Sequence, residues 1–209
     1  MAPQVTLDGH PLDCPEPGLA GAIRAGRSAA GARLIVEVRI DGRVVDPDNP
    51  GAPDAALREA RRVELLTAHP AALARCTLLD AADALEEIST VQADAAGLLQ
   101  TGDTERAMAL LRRSLDVWGG VAQTIDLISQ IGVTDPSAPA SRTLAPGSAH
   151  PRLNACLRAV RSSLEAQDHA ALADTLAYDL RDLAAEWTQE LRNLAQGIDA
   201  HHPPSESAA

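Results

Sequence analysis

The chain has 209 residues, is 45% apolar but only 1% aromatic, and carries a net charge of −11 at pH 7. Every basic residue is Arg, which excludes Schiff-base and P-loop lysines, and an acidic surface repels nucleic-acid phosphates and anionic lipid heads. With Trp118, Trp187 and Tyr178 as the only aromatics, the core must be built from Leu, Ile, Val and Ala, which suits close-packed helices.

Met1 to Thr6 shows neither a basic nor an apolar targeting region, and no window holds 18 uninterrupted apolar residues. Both features predict a cytoplasmic protein that does not span a membrane. Cys14, Cys76 and Cys156 form no C-x-x-C pair and read as reduced thiols. Cys76 and Cys156 fall in helical patterns, where a small buried hydrophobe is the expectation.

Val5-Thr6-Leu7 alternates and meets Asp8-Gly9, a strong hairpin signal, after which His10 to Cys14 returns as a second strand. Pro15-Glu16-Pro17-Gly18 punctuates, and Leu19 to Ala32 reads as a helix weakened by Gly21 and Gly26. In Leu34 to Ile40, strict alternation predicts Val36, Val38 and Ile40 on one face and Glu37 and Arg39 on the other. Asp41-Gly42 closes another turn and Arg43-Val44-Val45 starts back. Asp46 to Pro53 reads as loop, Asp54 as the cap of a short helix through Ala60, and Val63 to Thr67 as a last strand. This order of elements resembles the β-grasp superfold, which implies a small α/β domain over residues 1–69 and hosts many unrelated functions. Sulfur-carrier and modifier chemistry on that superfold needs a C-terminal Gly-Gly, whereas this sequence ends Ser207-Ala208-Ala209.

From Pro70 the hydrophobic period changes to that of a helix, with Leu78, Ala82, Leu85, Ile88, Ala95 and Leu99 in one stripe. Gly102-Asp103 breaks it, and Asp103 is placed to cap the next helix, whose stripe is Ala107, Leu111, Leu115, Trp118, Ala122, Ile125 and Ile128. Gly119-Gly120 interrupts that stripe and predicts a kink or a close crossing. Residues 134–148 read as a Pro- and Ser-rich linker. A third helix follows Pro151 through Leu153, Leu157, Val160 and Leu164, ending near an Asp168 cap. The fourth carries Leu176, Leu180, Leu183, Trp187, Leu191 and Leu194 within about 80° of one another at about 100° per residue. Gly197 is expected to stop it, leaving 199–209 as a disordered tail. Short turns between amphipathic helices predict two hairpins, 70–133 and 149–198, in an antiparallel four-helix bundle, giving an α+β protein overall. An offset of 65 residues pairs Ile88 with Leu153, Ala95 with Val160, Leu99 with Leu164, Asp103 with Asp168, Leu111 with Leu176 and Leu115 with Leu180.

The segment Leu98-Leu99-Gln100-Thr101-Gly102-Asp103-Thr104-Glu105-Arg106-Ala107, followed by Leu110-Leu111 and a helix ending in Gly132, resembles the central hairpin of flagellar secretion chaperones. Leu172 to Leu180, with Trp187 further on, is similar to the last helices of such proteins, so that the resemblance covers about residues 75–195. It implies a small helical bundle that holds an export substrate's tail until secretion.

No P-loop, dinucleotide fingerprint, nucleophile elbow or zinc-helix motif occurs, and the histidines are scattered, so no catalytic residue, cofactor or metal ligand is assigned. Asp179, Asp182, Glu186 and Glu190 form a ridge beside the stripe of the fourth helix, and no Glu-x-x-His motif accompanies them. The ridge, with Trp187, is the candidate surface for a basic or amphipathic segment of another protein, or for a second copy of this chain. The sequence therefore reads as a non-enzymatic adaptor or chaperone-like module. The alternative is an enzyme of unrecognised class with Asp179 and Glu186 in a carboxylate-lined pocket between the two parts.

Overall fold

The structure, a computed structural model, describes residues 3–16, 18–46, 60–131 and 151–201. The protein is α+β: a small mixed five-stranded sheet, then helices. It divides into two compact units, 1–73 and 74–209. The expected loop after Asp46, the short helix from Asp54, the 134–148 linker and the tail from His202 lie outside the described residues.

In the first unit, β1 (Gln4–Leu7) and β2 (His10–Pro11) form a hairpin, and α1 (Leu19–Ala30) leads to β3 (Leu34–Ile40), β4 (Arg43–Val45) and β5 (Arg62–Ala68). The strand order is β2-β1-β5-β3-β4, with β1 parallel to β5 and the other pairs antiparallel. Val5, Leu19, Ala22, Val38, Ile40, Val63 and Leu65 make the core. The two hairpin turns are alike. Asp8 and Gly9 have φ of 49° and 84°, Asp41 and Gly42 of 47° and 81°, the left-handed pair that a two-residue turn between twisted strands requires.

Both turns also anchor β5. Asp8 accepts from the Thr67 N–H at 2.8 Å and the Thr67 hydroxyl at 2.6 Å, while Asp41 accepts from the backbone N–H groups of Arg61 and Arg62 at 3.1 and 2.9 Å. The central strand is thus tied at both ends by the carboxylates that form the turns. Arg33 adds to the Asp8 end by donating to the Thr67 hydroxyl oxygen at 2.7 Å and its carbonyl at 3.0 Å. Burial opposes ionisation of Asp8, but the Thr67 hydroxyl, the Thr67 N–H and the Arg33 charge outweigh it and hold the carboxyl below its usual range.

The face assignment of β3 needs correction. Ile35, Val38 and Ile40 pair with Thr67, Leu65 and Val63, and the register slips between Ile35 and Glu37. Val36 is the extra residue of a β-bulge, so it is exposed and Ile35 takes the place expected for it. The glycines of α1 have a positive role. A Cβ on Gly26 would lie 2.5 Å from Leu65 Cδ1 and 3.1 Å from Ile35 Cδ1, and one on Gly21 would strike the Glu16 carbonyl. Glycine lets the helix lie close to the sheet and to the preceding turn.

The second unit is helical: α2 (Pro70–Thr101, begun in the first unit), α3 (Thr104–Ile131), α4 (Pro151–Glu165), α5 (His169–Asp174), a π-helical turn (Thr175–Asp179) and α6 (Leu180–His201). His69 Nδ1 accepts from the Ala71 N–H at 3.3 Å at the start of α2. The expected stripes are largely buried: Leu78, Leu85 and Ile88 on α2, Ala107, Leu111, Trp118 and Ile125 on α3, and Leu176, Leu180, Leu183, Trp187 and Leu191 further on. Trp118 and Trp187 meet edge to face, ring centroids 5.2 Å apart and planes at 75°, which ties α3 to α6. Gln92 donates to Ser114 Oγ at 3.0 Å across α2 and α3, both side chains fully buried.

Four sequence expectations fail here. Gly119-Gly120 neither interrupts the helix nor marks a close crossing: α3 runs through both, they are exposed, and an added Cβ on either would meet nothing within 4 Å. Gly197 does not stop α6, which continues to His201, because a Gly without a left-handed φ only weakens a helix. Cys76 and Leu164 are exposed instead of buried: Cys76 lies on the face of α2 away from Leu78 and Leu85, and Leu164 stands in the last turn of α4, one residue before its end at Glu165. The fourth helix is not regular, being divided by the π turn.

Candidate functional site

The acidic ridge starts in the π turn with Asp179 and continues on α6. Asp182, Glu186 and Glu190 follow at steps of three, four and four residues, which keeps them in one row beside the buried Leu183, Trp187 and Leu191. Asp179, Asp182 and Glu186 are exposed and Glu190 is half-buried. Their environments differ. Glu186 is ion-paired with Arg152 on α4, whereas none of the ion pairs among the described residues involves Asp179, Asp182 or Glu190. The free charge of the ridge therefore lies at Asp179, Asp182 and Glu190. Arg192, on the same helix, reaches α2 instead, donating to Glu86 at 2.7 Å and Asp83 at 3.1 Å. The Glu86 hydrogen bond, followed by that of Asp83, pushes its pKa further up.

Trp187 does not belong to this surface. It is 2% exposed and packed on Trp118, so a partner could touch it only if the helices separated. Tyr178 is the aromatic that is exposed, at 64% of its surface, and it stands next to Asp179 in the π turn. Sequence reasoning also missed Cys156 on α4. Burial pushes its thiol up, the Asp179 charge adds to this, and Arg152 opposes it, which places the four side chains Arg152, Cys156, Asp179 and Glu186 in one neighbourhood. A thiol held protonated in this way is a poor nucleophile. No sequence signal links residues 152–156 to residues 179–186; only packing of α4 beside the π turn and α6 does so.

Among the described residues no group of three His, Cys, Asp or Glu side chains is placed to hold a metal ion, and no helix is long and apolar enough to cross a membrane. No family model, no curated protein and no solved structure matches the chain.

Proposed function

We propose that the chain is a non-enzymatic protein-binding adaptor or chaperone-like module of the cytoplasm. The sheet unit is of the β-grasp kind, the helical unit is a four-helix bundle, and the row Asp179, Asp182, Glu190 receives a basic or amphipathic segment of another protein. The observation that carries this reading is the uneven use of charge on the last helix. Arg192 and Glu186 are spent on neighbouring helices, while among the described residues Asp179, Asp182 and Glu190 form no ion pair, the first two exposed and the third half-buried, beside the buried Leu183, Trp187 and Leu191. Such charges contribute little to folding, but they speed encounter with a partner of opposite sign. The resemblance of residues 98–107 and 172–180 to flagellar secretion chaperones supports the same class and suggests an export substrate as the occupant.

The test is recovery of partners from the native cell by the tagged full chain and by the Asp182→Arg/Glu190→Arg variant. The proposal predicts partners that co-purify with the wild type and are lost from the variant, with thermal stability nearly equal in the two. Identical recovery would reduce the ridge to a solvated face.

A further inference from the structure

We infer that the second helical hairpin is a copy of the first carrying one inserted residue, and that the π turn is where the fold absorbs it. The two interhelical turns correspond closely. Gly102 has φ 86° and Gln167, 65 positions later, φ 56°. The hydrogen bonds around them correspond one to one at that offset. Gly102 N–H donates to the Leu99 carbonyl at 3.2 Å and Gln167 N–H to Leu164 at 3.1 Å; Asp103 N–H donates to Leu98 and Asp168 N–H to Ser163, each at 2.9 Å. Arg106 N–H donates to the Asp103 carboxylate at 3.3 Å and Ala171 N–H to the Asp168 carboxylate at 3.0 Å. Ala107 and Leu172 return to the Asp103 and Asp168 carbonyls, each at 3.1 Å. Each turn is a left-handed C-terminal cap passing directly into an Asp N-cap. A left-handed φ at a Gln costs energy that a Gly avoids, so its presence at the matching position is not explained by residue preference.

Upstream of the π turn an offset of 65 pairs buried residues at Ile88 and Leu153, Ala95 and Val160, Ala107 and Leu172, and Leu111 and Leu176, whereas the expected pair Leu99 and Leu164, like Ala96 and Arg161, sets a buried residue against an exposed one. Downstream it fails. An offset of 65 would set the buried Ser114, Val121 and Ile128 against the exposed Asp179, Glu186 and Asn193. An offset of 66 restores every pair: Ser114 with Leu180, Trp118 with Ala184, Val121 with Trp187, Ile125 with Leu191 and Ile128 with Leu194, all buried. The residues agree too, with Asp116 and Asp182, Gln123 and Gln189, and Gln130 and Gln196 identical at 66. The pairing of Leu115 with Leu180 expected from a constant offset is therefore displaced by one.

The change of offset falls between Leu176 and Leu180, which is the π turn itself, where Leu180 N–H reaches back five residues to the Thr175 carbonyl. One extra residue in an α-helix rotates all that follows by about 100° and would turn the stripe of α6 out of the core. Widening a single turn accommodates the residue and leaves both halves in register. Ala177, Tyr178 and Asp179 thus stand opposite Arg112 and Arg113, and Tyr178 is exposed at 64% of its surface.

Two single-residue deletions in the full chain test this. Deleting Tyr178 should convert the π turn to α-helix and keep a cooperative thermal transition, with the midpoint within about 5 °C of the wild type. Deleting Arg112, also exposed and at the matching place in the first copy, should rotate Ser114, Trp118 and Ile125 off the core and abolish the cooperative transition. Loss of the transition in the Tyr178 deletion would overturn the inference. Survival of the Arg112 deletion with a wild-type midpoint would overturn it as well, because register would then not matter.

Discussion

In the sheet unit a small core is supplemented by polar ties, Asp8 to Thr67 and Asp41 to Arg61 and Arg62, which clamp the two ends of β5. In the helical unit the caps at Asp103 and Asp168 only start helices, and cohesion rests on long rows of Leu, Ala and Ile closed by the Trp118–Trp187 contact. The contrast follows from geometry. A short five-stranded sheet with the single short helix α1 described on it buries little apolar area, so the strand ends must be fixed by directional bonds, whereas long amphipathic helices bury enough to tolerate exposed glycines and a widened turn. The first unit is therefore expected to be the more sensitive to acid and the second to cavities.

The largest effect should come from Trp118→Ala. Removing a buried indole leaves a void against Trp187 and should cost about 3–5 kcal/mol, read from urea unfolding followed by circular dichroism. A cost below about 1 kcal/mol would mean that the two rings are not the centre of the helical core.

A smaller effect tests the polar pair inside that core. Ser114→Ala alone strands the buried Gln92 amide and should destabilise by about 1–3 kcal/mol. Combining it with Gln92→Leu should recover most of the loss, because the Gln92 Oε1 atom already lacks a partner and both polar groups are then gone. Equal or additive losses in the double variant would indicate that the pair stabilises the fold outright.

Acid should act on the first unit. The folded Asp8 carboxyl lies below its unfolded value of about 3.9, so its contribution is complete above that pH and is lost as pH falls through the folded value. Amide exchange at Thr67, followed from pH 5 down to pH 2, should accelerate in the wild type relative to Asp8→Asn. The difference is modest, since the carboxylate is partly exposed and screened. Parallel profiles for the two proteins would remove Asp8 as the source of acid sensitivity.

Much of this organisation was legible from residues. Asp8-Gly9 and Asp41-Gly42 announced their turns, Gly102-Asp103 its break and cap, and the leucine rows their buried faces, because each signal is local. The bulge at Val36 was not, since Leu34 to Ile40 is apolar at both parities on its N-terminal side and only the partner strand selects the face. The π turn was hidden because a four-residue step from Leu176 to Leu180 lands near one face in either kind of helix. Of the candidate surface, the row of carboxylates was visible, but their division into paired and unpaired depends on Arg152 and Arg192 reaching across to other helices. Trp187 was misassigned to that surface although its own stripe position is that of a core residue.

The smallest effect on stability should accompany the largest effect on binding. Asp182→Arg/Glu190→Arg should shift folding by less than about 0.5 kcal/mol, since both groups sit outside the core. Its consequence for association is measured with a partner recovered by the wild-type chain, as the association rate against salt concentration. The account predicts a wild-type rate that falls steeply as salt is raised, and a variant rate that is lower at low salt and nearly flat. Equal rates for wild type and variant at every salt concentration would contradict it.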